Sequence, residues 1–454
     1  MNPPDPGSPE EIRRFRELQD RLGPLFQRIF PDPRTQRTVV VVPSLSLDTE
    51  ELAKVTGAHH YEERLLCLLM LLRLPRTHVI YLSSQPISPQ IIDYYLHLLP
   101  GIPGQHARQR LRLMSCHDAA PVPLTRKILE RPRMITRIRE AIPDLSTAHM
   151  VCFTATPLER TLAVRLGLPL YGADPDLAHL GTKSGSRKIF REAGVQIPDG
   201  FEELRDVEDI FGAVTELKGR NPELKKVVVK LNEGFSGEGN AVFPLEDCPE
   251  GTTATAAWVR RELPERLRFE ARGETWERFS QKFRSMRGVV ESWVSGAEKR
   301  SPSVQCRIDP ANGPMVISTH DQVLGGPSGQ IFLGCRFPAD DEYRLQIHEA
   351  GQRIAQVLGQ YRALGRFGVD FVSVREPEGW KHYAIEINLR KGGTTHPFIM
   401  LQFLIDGTYD RATGLYRTRS GQPRFYYASD NVESESYRGF TPEDLTDISV
   451  FHRL

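Results

Sequence analysis

Short apolar runs alternate with longer, helix-like segments through the first part of the chain. The apolar runs lie at 39–42, 78–82, 111–114 and 150–154, and the helix-like segments lie at 61–73, 89–99, 124–142 and 158–166. Strands that alternate with helices are typical of a parallel α/β sheet, in which each helix returns the chain to the start of the next strand. The pattern therefore predicts an N-terminal α/β domain over residues 1–172.

The pattern changes after Asp174. Residues 184–193 are predicted to form a helix. The apolar run 227–231 leads into the glycine-rich sequence NEGFSGEGN and resumes at 241–243, which predicts a β-hairpin. A polar, Arg-rich helical stretch follows, and we predict that one unit of the fold covers 173–288.

Strands dominate the next part of the chain. They are predicted near 289–294, 303–308, 315–319 and 330–337 and, after a long helix at 341–361, near 367–374 and 382–388. Strands followed by a helix and further strands indicate an α+β domain. We predict that this unit covers 289–402 and that a small polar subdomain follows over 403–454.

Composition and charge narrow the function classes. The 454 residues are enough for about two to four domains. The 59 basic and 58 acidic residues nearly balance, so no excess charge would drive binding to nucleic acid or to a membrane. The six cysteines are scattered, which is typical of reduced thiols in a cytosolic protein. Since the most apolar run, 65–72, is too short to span a bilayer and no secretory signal is visible, we expect a soluble cytoplasmic protein.

The glycine-rich hairpin is the first candidate for chemistry. Glycines let backbone N–H groups approach an anion closely, and the ammonium of Lys230 adds positive charge at the end of the strand. A phosphate clamp would use Gly234, Ser236, Gly237 and Gly239; the alternative is an ordinary hairpin turn. The loop is neither a Walker A loop nor a dinucleotide fingerprint, because no G-K-[ST] follows and it joins two strands.

Asp370, Glu386 and Asn388 lie near the ends of two strands that are joined by a turn. Glu386 and Asn388 are two residues apart and so point to one face, and hairpin pairing would place Asp370 opposite them. Two carboxylates and an amide oxygen suit Mg²⁺ that is shared with nucleotide phosphates. The alternative is a satisfied polar pair on an exposed sheet face.

A third signal is the sequence ESWVSGAE, which follows a predicted strand at 286–290. Its carboxylates, Glu291 and Glu298, could hold the ribose of a nucleotide while the backbone reads the adenine. Core packing is the alternative for the apolar residues of this segment.

Together, and in this order, the signals resemble the ATP-grasp superfamily. Lys183 and Lys230 are similar to its two phosphate-binding lysines, and ESWVSGAE, with Glu291, Ser292, Val294 and Glu298, is similar to its adenine–ribose segment. Asp370, Glu386 and Asn388 match its metal ligands, and Arg390 completes an E-x-N-x-R pattern. The flanking sequences EINLRKGGTTHP and FYYASDN resemble the pheganomycin peptide ligase-like branch, the ATP-grasp peptide ligases of natural-product pathways.

The resemblance implies a pre-ATP-grasp domain, a two-lobed ATP-grasp fold and a small C-terminal subdomain. It implies an ADP-forming ligase that joins a carboxylate to an amine, as a peptide or γ-glutamyl bond, through an acyl phosphate. ATP and two Mg²⁺ ions, or Mn²⁺ in their place, would serve the reaction, and the loop Gly234–Gly239 would close over the phosphates. The partners would be small amino acid or peptide substrates, with a homodimer as one possible assembly. The alternatives are another ATP-grasp reaction, carboxylation or phosphotransfer, and a nucleotide-binding regulatory protein.

The sequence allows more than one role for four further residues. The resemblance places Arg390 where it would hold the oxyanion of a tetrahedral intermediate, and a surface ion pair is its alternative role. His320 and Asp321 could orient a substrate or accept the proton of the amine, or could be structural. Lys391 could bind a substrate carboxylate or could be solvated.

Overall fold

The computed structural model describes residues 3–47, 52–53, 55, 57–234, 239–325, 329, 331–429 and 431–452. Within these residues the strands form four sheets. One sheet is parallel and the other three are antiparallel. The predicted combination of a parallel α/β region with α+β regions is therefore confirmed.

The N-terminal sheet has the strand order β3-β2-β1-β4. Its strands are β1 (Arg37–Val42), β2 (Thr77–Ser83), β3 (Leu111–Ser115) and β4 (Ala148–Cys152). Its α-helices are Pro9–Asp20, Leu22–Ile29, Pro89–His97, Gly104–Gln109, Leu124–Leu129, Pro132–Glu140 and Pro157–Leu166. Alternate valines of β1 enter two separate hydrophobic clusters, Val40 and Val42 on one face and Val39 and Val41 on the other. Both faces are buried, which explains why the strand reads as a continuous apolar run.

The segment predicted as a helix at 61–73 is a 3-10 helix, Ala58–Arg73. Its buried leucines Leu66, Leu69 and Leu72 recur at every third residue, which is the period of a 3-10 helix. This helix begins near the carboxyl ends of the parallel strands. There Glu62 accepts a hydrogen bond from the hydroxyl of Ser84, which follows β2, at 2.6 Å. Shorter 3-10 helices lie at Leu145–Thr147, Pro175–Gly181 and Glu435–Tyr437.

The second sheet has the order β5-β9-β6-β7-β8. Its strands are β5 (Gly200–Leu204), β6 (Lys226–Leu231), β7 (Asn240–Pro244), β8 (Arg268–Phe269) and β9 (Gly288–Ser292), with the helices Lys183–Glu192, Val207–Arg220, Thr252–Arg266 and Trp276–Met286. Gly288, the first residue of β9, has no room for a side chain, because a Cβ there would lie 2.3 Å from the carbonyl oxygen of Lys230. β9 pairs with β5 and β6, so it belongs to this sheet, whereas the predicted boundary after residue 288 assigns most of it to the next unit.

The largest sheet has the order β10-β14-β11-β12-β13-β19, and β15 also pairs with β14. Its strands are β10 (Lys299–Arg300), β11 (Pro302–Asp309), β12 (Gly313–Gly325), β13 (Ile331–Phe337), β14 (Gly365–Glu376), β15 (Gly379–Asn388) and β19 (Tyr426–Ala428). The helix Arg344–Gln360 covers it, and the helix Lys183–Glu192 packs into the same hydrophobic cluster through Ile189 and Phe190.

The last part of the chain adds the helix Thr395–Leu404, a small sheet and the helix Pro442–His452. The small sheet consists of β16 (Gly407–Asp410), β17 (Leu415–Thr418) and β18 (Pro423–Arg424). Because β19 joins the largest sheet through β13, this tail is partly built into the preceding unit. The described helices include none with the length and apolar character that a bilayer span requires. The four-unit division of the chain stays a prediction.

Candidate active site

The two predicted metal-binding carboxylates face each other across the β14–β15 hairpin. The antiparallel register pairs Asp370 with Glu386, and Asn388 follows two residues later on the same strand. The amide nitrogen of Asn388 donates a hydrogen bond to Asp370 Oδ2 at 2.8 Å. A short turn between the strands makes this pairing local in sequence, which explains why the sequence indicates it.

The two carboxylates have different electrostatic environments, which shift their pKa values in opposite directions. Burial and the neighbouring charge of Glu386 raise the pKa of Asp370 to about 7. Burial alone would raise the pKa of Glu386 as well, but the ammonium of Lys183, with help from Arg390, lowers it below its ordinary value. Like charges held close together in a buried site are the arrangement that a divalent cation relieves.

Lys183 reaches this pair from the helix Lys183–Glu192, which packs against the same sheet. It is the first residue of its helix, and its Nζ lies 2.5 Å from Glu386 Oε1. The helix is fixed against β15 because the backbone N–H of Ile387 donates to Ser186 Oγ at 3.0 Å. One turn of helix thus couples the predicted phosphate lysine to the strand that carries the predicted metal ligands.

Lys230, at the end of β6, is held by a buried chain of charges. Its Nζ donates to Glu291 Oε2 at 2.6 Å, and Arg187 donates to Glu291 Oε1 at 2.7 Å. Arg187 also donates to Glu202 at 3.0 Å. Burial alone would raise the pKa of Glu291, but the two cations lower it. Both oxygens of Glu291 are engaged by cations, so in this structure Glu291 orients Lys230.

Two of the residues that support the lysines were not indicated by the sequence reasoning. Arg187 is one of them; it lies one helical turn after Lys183, and this i, i+4 spacing is the signal that could have found it. The other is Asn232, whose side-chain oxygen accepts from the backbone N–H of Ser184 at 3.0 Å and from its hydroxyl at 2.7 Å. Asn232 therefore ties the start of the Lys183 helix to the strand end beyond Lys230.

The glycine-rich loop is described only at its two ends. The backbone N–H of Leu231, the last residue of β6, donates to the carbonyl of Gly239 at 2.9 Å, so the hairpin ladder extends to the residue just before β7. A Cβ on Gly234 would lie 3.2 Å from the backbone of Gly239, so the two glycines lie against each other. Ser236 and Gly237 lie outside the described residues, and their predicted contact with phosphate stays a prediction.

The predicted nucleotide-binding segment, which starts at the end of β9, has two parts in different positions. Ser292 and Val294 line the central cavity, as expected of a nucleotide-binding segment. Glu298 lies outside the cavity lining, with 42% of its side chain exposed and an ion pair to Arg300 at 2.8 Å. Arg300 itself lines the cavity, so Glu298 lies next to the lining, and its predicted contact with a ribose stays a prediction.

Lys299 is a further cation of the cavity that the sequence reasoning missed. Its Nζ lies 4.3 Å from the centre of the Trp293 ring. Burial and the nearby charge of Lys230 lower the pKa of Lys299. In the sequence, the one indication that Lys299 lies in the cavity is that it directly follows ESWVSGAE.

Most of the predicted residues that the structure describes converge on one cavity of about 830 Å³, although Lys183, Gly239, Glu298 and His320 lie outside its lining. Its lining includes Lys230, Gly234, Glu291, Ser292, Val294, Asp370, Glu386, Asn388 and Arg390. A cavity of this size is in the range of small-molecule sites in proteins. Two lysines that attract anions, Lys230 and Lys299, therefore line the same cavity as the Asp370–Glu386 pair.

Arg390 and its neighbour Lys391 have different environments. Arg390 lines the cavity, and its pKa is lowered by burial, although the two carboxylates oppose this shift. Lys391 is buried outside the cavity lining, and its Nζ donates to the carbonyl of Cys152 at 2.5 Å. Lys391 is therefore neither solvated nor in the cavity, and it ties the end of β15 to the end of β4.

The position of His320 does not suit the predicted role of a general base. The side chain is fully buried, lies outside the cavity lining, and shares a hydrogen bond of 2.8 Å between its Nε2 and the hydroxyl of Tyr426. The rings of Phe337 and Phe398 surround it. Burial lowers the pKa of His320 to about 3, so the ring stays neutral at physiological pH.

A neighbour on the same strand reaches the site instead. Gln322, two residues after His320, donates to Asp370 Oδ1 at 2.6 Å and lines the cavity. Asp321, between them, points to the other face and accepts a hydrogen bond from Tyr343 at 2.6 Å. In this run the residue that supports the carboxylate pair is the amide rather than the imidazole.

We expect His320→Gln to retain wild-type activity per folded molecule within about threefold and to make the protein less sensitive to acid. The unfolded chain protonates His320 near pH 6.5, whereas the folded chain does so near pH 3, so His320 makes stability fall as pH falls through that window. The variant should lose up to about 1.4 kcal/mol per pH unit of this dependence. Denaturant unfolding at pH 7 and pH 5, with ADP release at pH 7, measures both. If the variant is fully folded but loses activity, His320 has the predicted catalytic role after all.

The comparisons with known proteins agree with these motifs. The family model described as IQCH-like, ATP-grasp matches residues 175–266 and 264–412. An L-propargylglycine–L-glutamate ligase of Streptantibioticus cattleyicolor is 30% identical over 415 residues, covering 89% of this chain and 82% of that protein. IQ motif-containing protein H of Danio rerio is 23% identical over 439 residues, covering 87% of this chain and 41% of that longer protein.

A solved structure with similarity to this chain is the biotin carboxylase domain of the 2-oxoglutarate carboxylase of Hydrogenobacter thermophilus. It is 14% identical, with a TM-score of 0.49, and the match covers 80% of this chain and 66% of that one. The family model spans more than half of the chain, and the Streptantibioticus relative aligns with nearly all of it. On these matches the chain belongs to the ATP-grasp family.

Proposed function

We propose that the protein is an ADP-forming ligase that joins the carboxylate of one amino acid to the amine of another amino acid or a peptide. The observation that carries this proposal is the convergence of Lys230, the Asp370–Glu386 pair and Arg390 on one cavity. The name of the relative, a ligase of L-propargylglycine and L-glutamate, supports small amino acids as substrates and an amide, peptide or γ-glutamyl, as the product.

ATP would lie between the lobes. Lys230, in the cavity lining, and Lys183, which lies outside it beside Glu386, would bind its phosphates, and Lys299 adds positive charge near Lys230. In the structure the ammonium groups of Lys183 and Lys230 lie on the carboxylates Glu386 and Glu291, which compensate for the cost of burying them. Phosphate oxygens would share these cations, and because Glu291 also holds Arg187, Lys230 keeps its orientation.

The carboxylate pair suits Mg²⁺. Asp370, Glu386 and Asn388 offer hard oxygen ligands, and burial together with the charge of Glu386 raises the pKa of Asp370, a cost that a bound divalent cation would offset. When bound, Mg²⁺ or Mn²⁺ supplies charge neutralisation for the phosphates of the nucleotide. Gln322 holds one oxygen of Asp370 in place, and Asn388 holds the other.

The chemistry then has two steps. A carboxylate oxygen of the donor attacks the γ-phosphorus of ATP, the bond to the β-γ bridging oxygen breaks, and ADP leaves with the electron pair. The amine of the acceptor attacks the carbonyl carbon of the acyl phosphate, loses a proton, and inorganic phosphate leaves. Arg390 is positioned beside the carboxylates to neutralise the developing oxyanion.

A substrate panel tests the proposal. Proteinogenic amino acids and L-propargylglycine are offered singly and in pairs with ATP and Mg²⁺, and nucleotide and amide products are identified by mass. We expect ADP and phosphate in equal amounts, together with an amide whose mass is the sum of the two amino acids less one water.

Two results would contradict the proposal. AMP and pyrophosphate as the stoichiometric products would exclude an acyl phosphate. ADP release that needs bicarbonate or a single non-amine acceptor, with no amide formed, would instead indicate a carboxylase or a phosphotransferase of the same family.

A further inference from the structure

Charge is unevenly distributed along this nearly neutral chain. Residues 104–140 contain nine basic and three acidic residues, whereas residues 431–452 contain five acidic residues and one basic residue. The whole chain carries a net charge of +1. Two regions of opposite charge in one chain can form complementary surfaces, and their places in the fold decide how they can meet.

The basic region exposes a row of arginines on one helix. In the helix Pro132–Glu140 the buried residues are Met134 and Ile138, while Arg133 and Arg137, four residues apart, form a row on the exposed side. Across the described part of the chain, neither arginine of this row has an ion-pair partner. We call this row, together with three neighbouring exposed arginines, the basic face; the three are Arg112, Arg126 and Arg139.

The acidic tail, residues 431–452, packs little on its own chain. None of the residues of its helix Pro442–His452 is buried. Leu445, Val450 and Phe451 are exposed, and Phe451 is 81% exposed. Isolated helices of this length are marginal in water, and most helices in proteins are stabilised by packing against another surface. We therefore expect the tail to pack on a surface that accepts acidic and apolar side chains together.

The tail helix carries an acidic row with the same spacing as the basic row. Glu443 and Asp447 are four residues apart, as Arg133 and Arg137 are, so each pair lies along one side of its helix. Both carboxylates are exposed, and among the residues that the structure describes neither has an ion-pair partner. Two rows of opposite charge and equal spacing can pair side by side.

The two rows lie on opposite sides of the parallel sheet, so they do not meet within one chain. The tail helix contacts the helix Pro89–His97, whose Ile92 lies in the same hydrophobic cluster as Val39. Ile138, from the helix of the basic row, lies in the cluster on the other face, with Val40. A second copy, turned over by a two-fold axis along the edge of the sheet, would place each tail beside the basic face of the other copy.

We propose that the protein forms a two-fold dimer in which the tail helix of each copy packs on the basic face of the other. Glu443 and Asp447 then lie beside the partner's Arg133 and the partner's Arg137. The edge strand β3, on which Leu113 is exposed, lies near the two-fold axis. The occupant is a second copy because the chain itself supplies the complementary charge. This inference goes beyond the ligase function and does not depend on it.

The test is the mass of the full chain in solution, measured by sedimentation over a range of protein concentrations. Arg133→Glu/Arg137→Glu, the face variant, reverses the basic row, and Glu443→Lys/Asp447→Lys, the tail variant, reverses the acidic row. Each variant is studied alone and mixed with the other. Thermal unfolding and ADP release are measured on the same samples to show that the variants are folded, since the substitutions lie outside the cavity lining.

We expect the wild type to have twice the 51.5 kDa mass of one chain. Each variant alone should be a monomer, with a dimer Kd at least about a hundredfold higher, because like charges would then face each other. An equal mixture of the two variants should form dimers again, because the reversed face of one then meets the reversed tail of the other. Arg278→Glu/Arg284→Glu is the matched control and should remain a dimer, since these exposed arginines lie on the helix Trp276–Met286.

A wild type that stays monomeric up to about 100 µM would overturn the inference. So would variants that remain dimeric, which would place the interface elsewhere, and so would two monomeric variants whose mixture stays monomeric. Binding of poly(U) RNA by a monomeric wild type, lost in the face variant, would overturn it as well and would assign the basic face to a nucleic acid. None of these outcomes bears on the proposed ligase function, because ADP release is measured separately.

Discussion

Glu386→Gln should abolish turnover while the protein stays folded. Glu386 faces Asp370 across the hairpin and holds the ammonium of Lys183 at 2.5 Å, so one charge serves the proposed metal site and a phosphate-binding lysine. Burial and the charge of Glu386 raise the pKa of Asp370; loss of that charge removes the second cause, and Asp370 remains as a counterion near Lys183. We therefore expect a small change in melting temperature and a fall in kcat of at least about a thousandfold, the loss of roughly 4 kcal/mol of transition-state stabilisation.

The measurement is ADP release at saturating ATP and amino acids, with thermal unfolding of the same sample. Glu376→Gln is the control, because Glu376 lies on the same hairpin and is exposed at its turn. If Glu386→Gln retains more than about a tenth of the wild-type kcat, a loss below about 1.4 kcal/mol, the metal role is wrong.

Lys230→Met should remove productive binding of ATP. The ammonium of Lys230 is buried in the cavity wall and is oriented by Glu291, which Arg187 holds from the other side. Methionine keeps most of the length and the packing but has no charge for a phosphate. We expect kcat/KM for ATP to fall by about a hundred- to a thousandfold, the scale for one oriented donor at a reacting centre.

The buried Glu291 keeps Arg187 as a partner, so the loss of stability should stay below the about 3–5 kcal/mol typical of a broken buried pair. Lys225→Met is the matched control, since Lys225 is exposed just before the same strand. Titration of a non-hydrolysable ATP analogue, followed by the rise in melting temperature, measures binding apart from catalysis. Wild-type stabilisation by the analogue in Lys230→Met would contradict the phosphate role.

The sequence indicates those parts of the site in which the contacting residues are close together along the chain. A two-residue connection, Pro377 and Glu378, joins the strands of Asp370 and Glu386, so alternation along each strand predicts that the two side chains meet. The family assignment, now confirmed, rests on the order of such local signals along the chain. The roles of the individual residues stay predictions.

The parts that the sequence does not indicate depend on distant segments. The contact of Arg187 with Glu291 joins residues 104 positions apart, and that of Gln322 with Asp370 joins strands separated by a third strand. His320 has the same polar sequence context as Gln322, but β19 from the tail places Tyr426 on it and buries it. Burial by a remote strand is a tertiary effect that no local pattern carries.

The central claim is that the donor carboxylate attacks the γ-phosphorus of ATP to form an acyl phosphate. Following the oxygen atoms of that carboxylate tests this claim most directly. The donor amino acid is labelled with ¹⁸O in its carboxylate, and the phosphate released with the amide product is analysed by mass. If the carboxylate attacks the γ-phosphorus, one labelled oxygen must pass from the donor to inorganic phosphate, and ADP must carry none. Inorganic phosphate without label, or label found in AMP, would contradict the acyl phosphate and with it the proposed ligase.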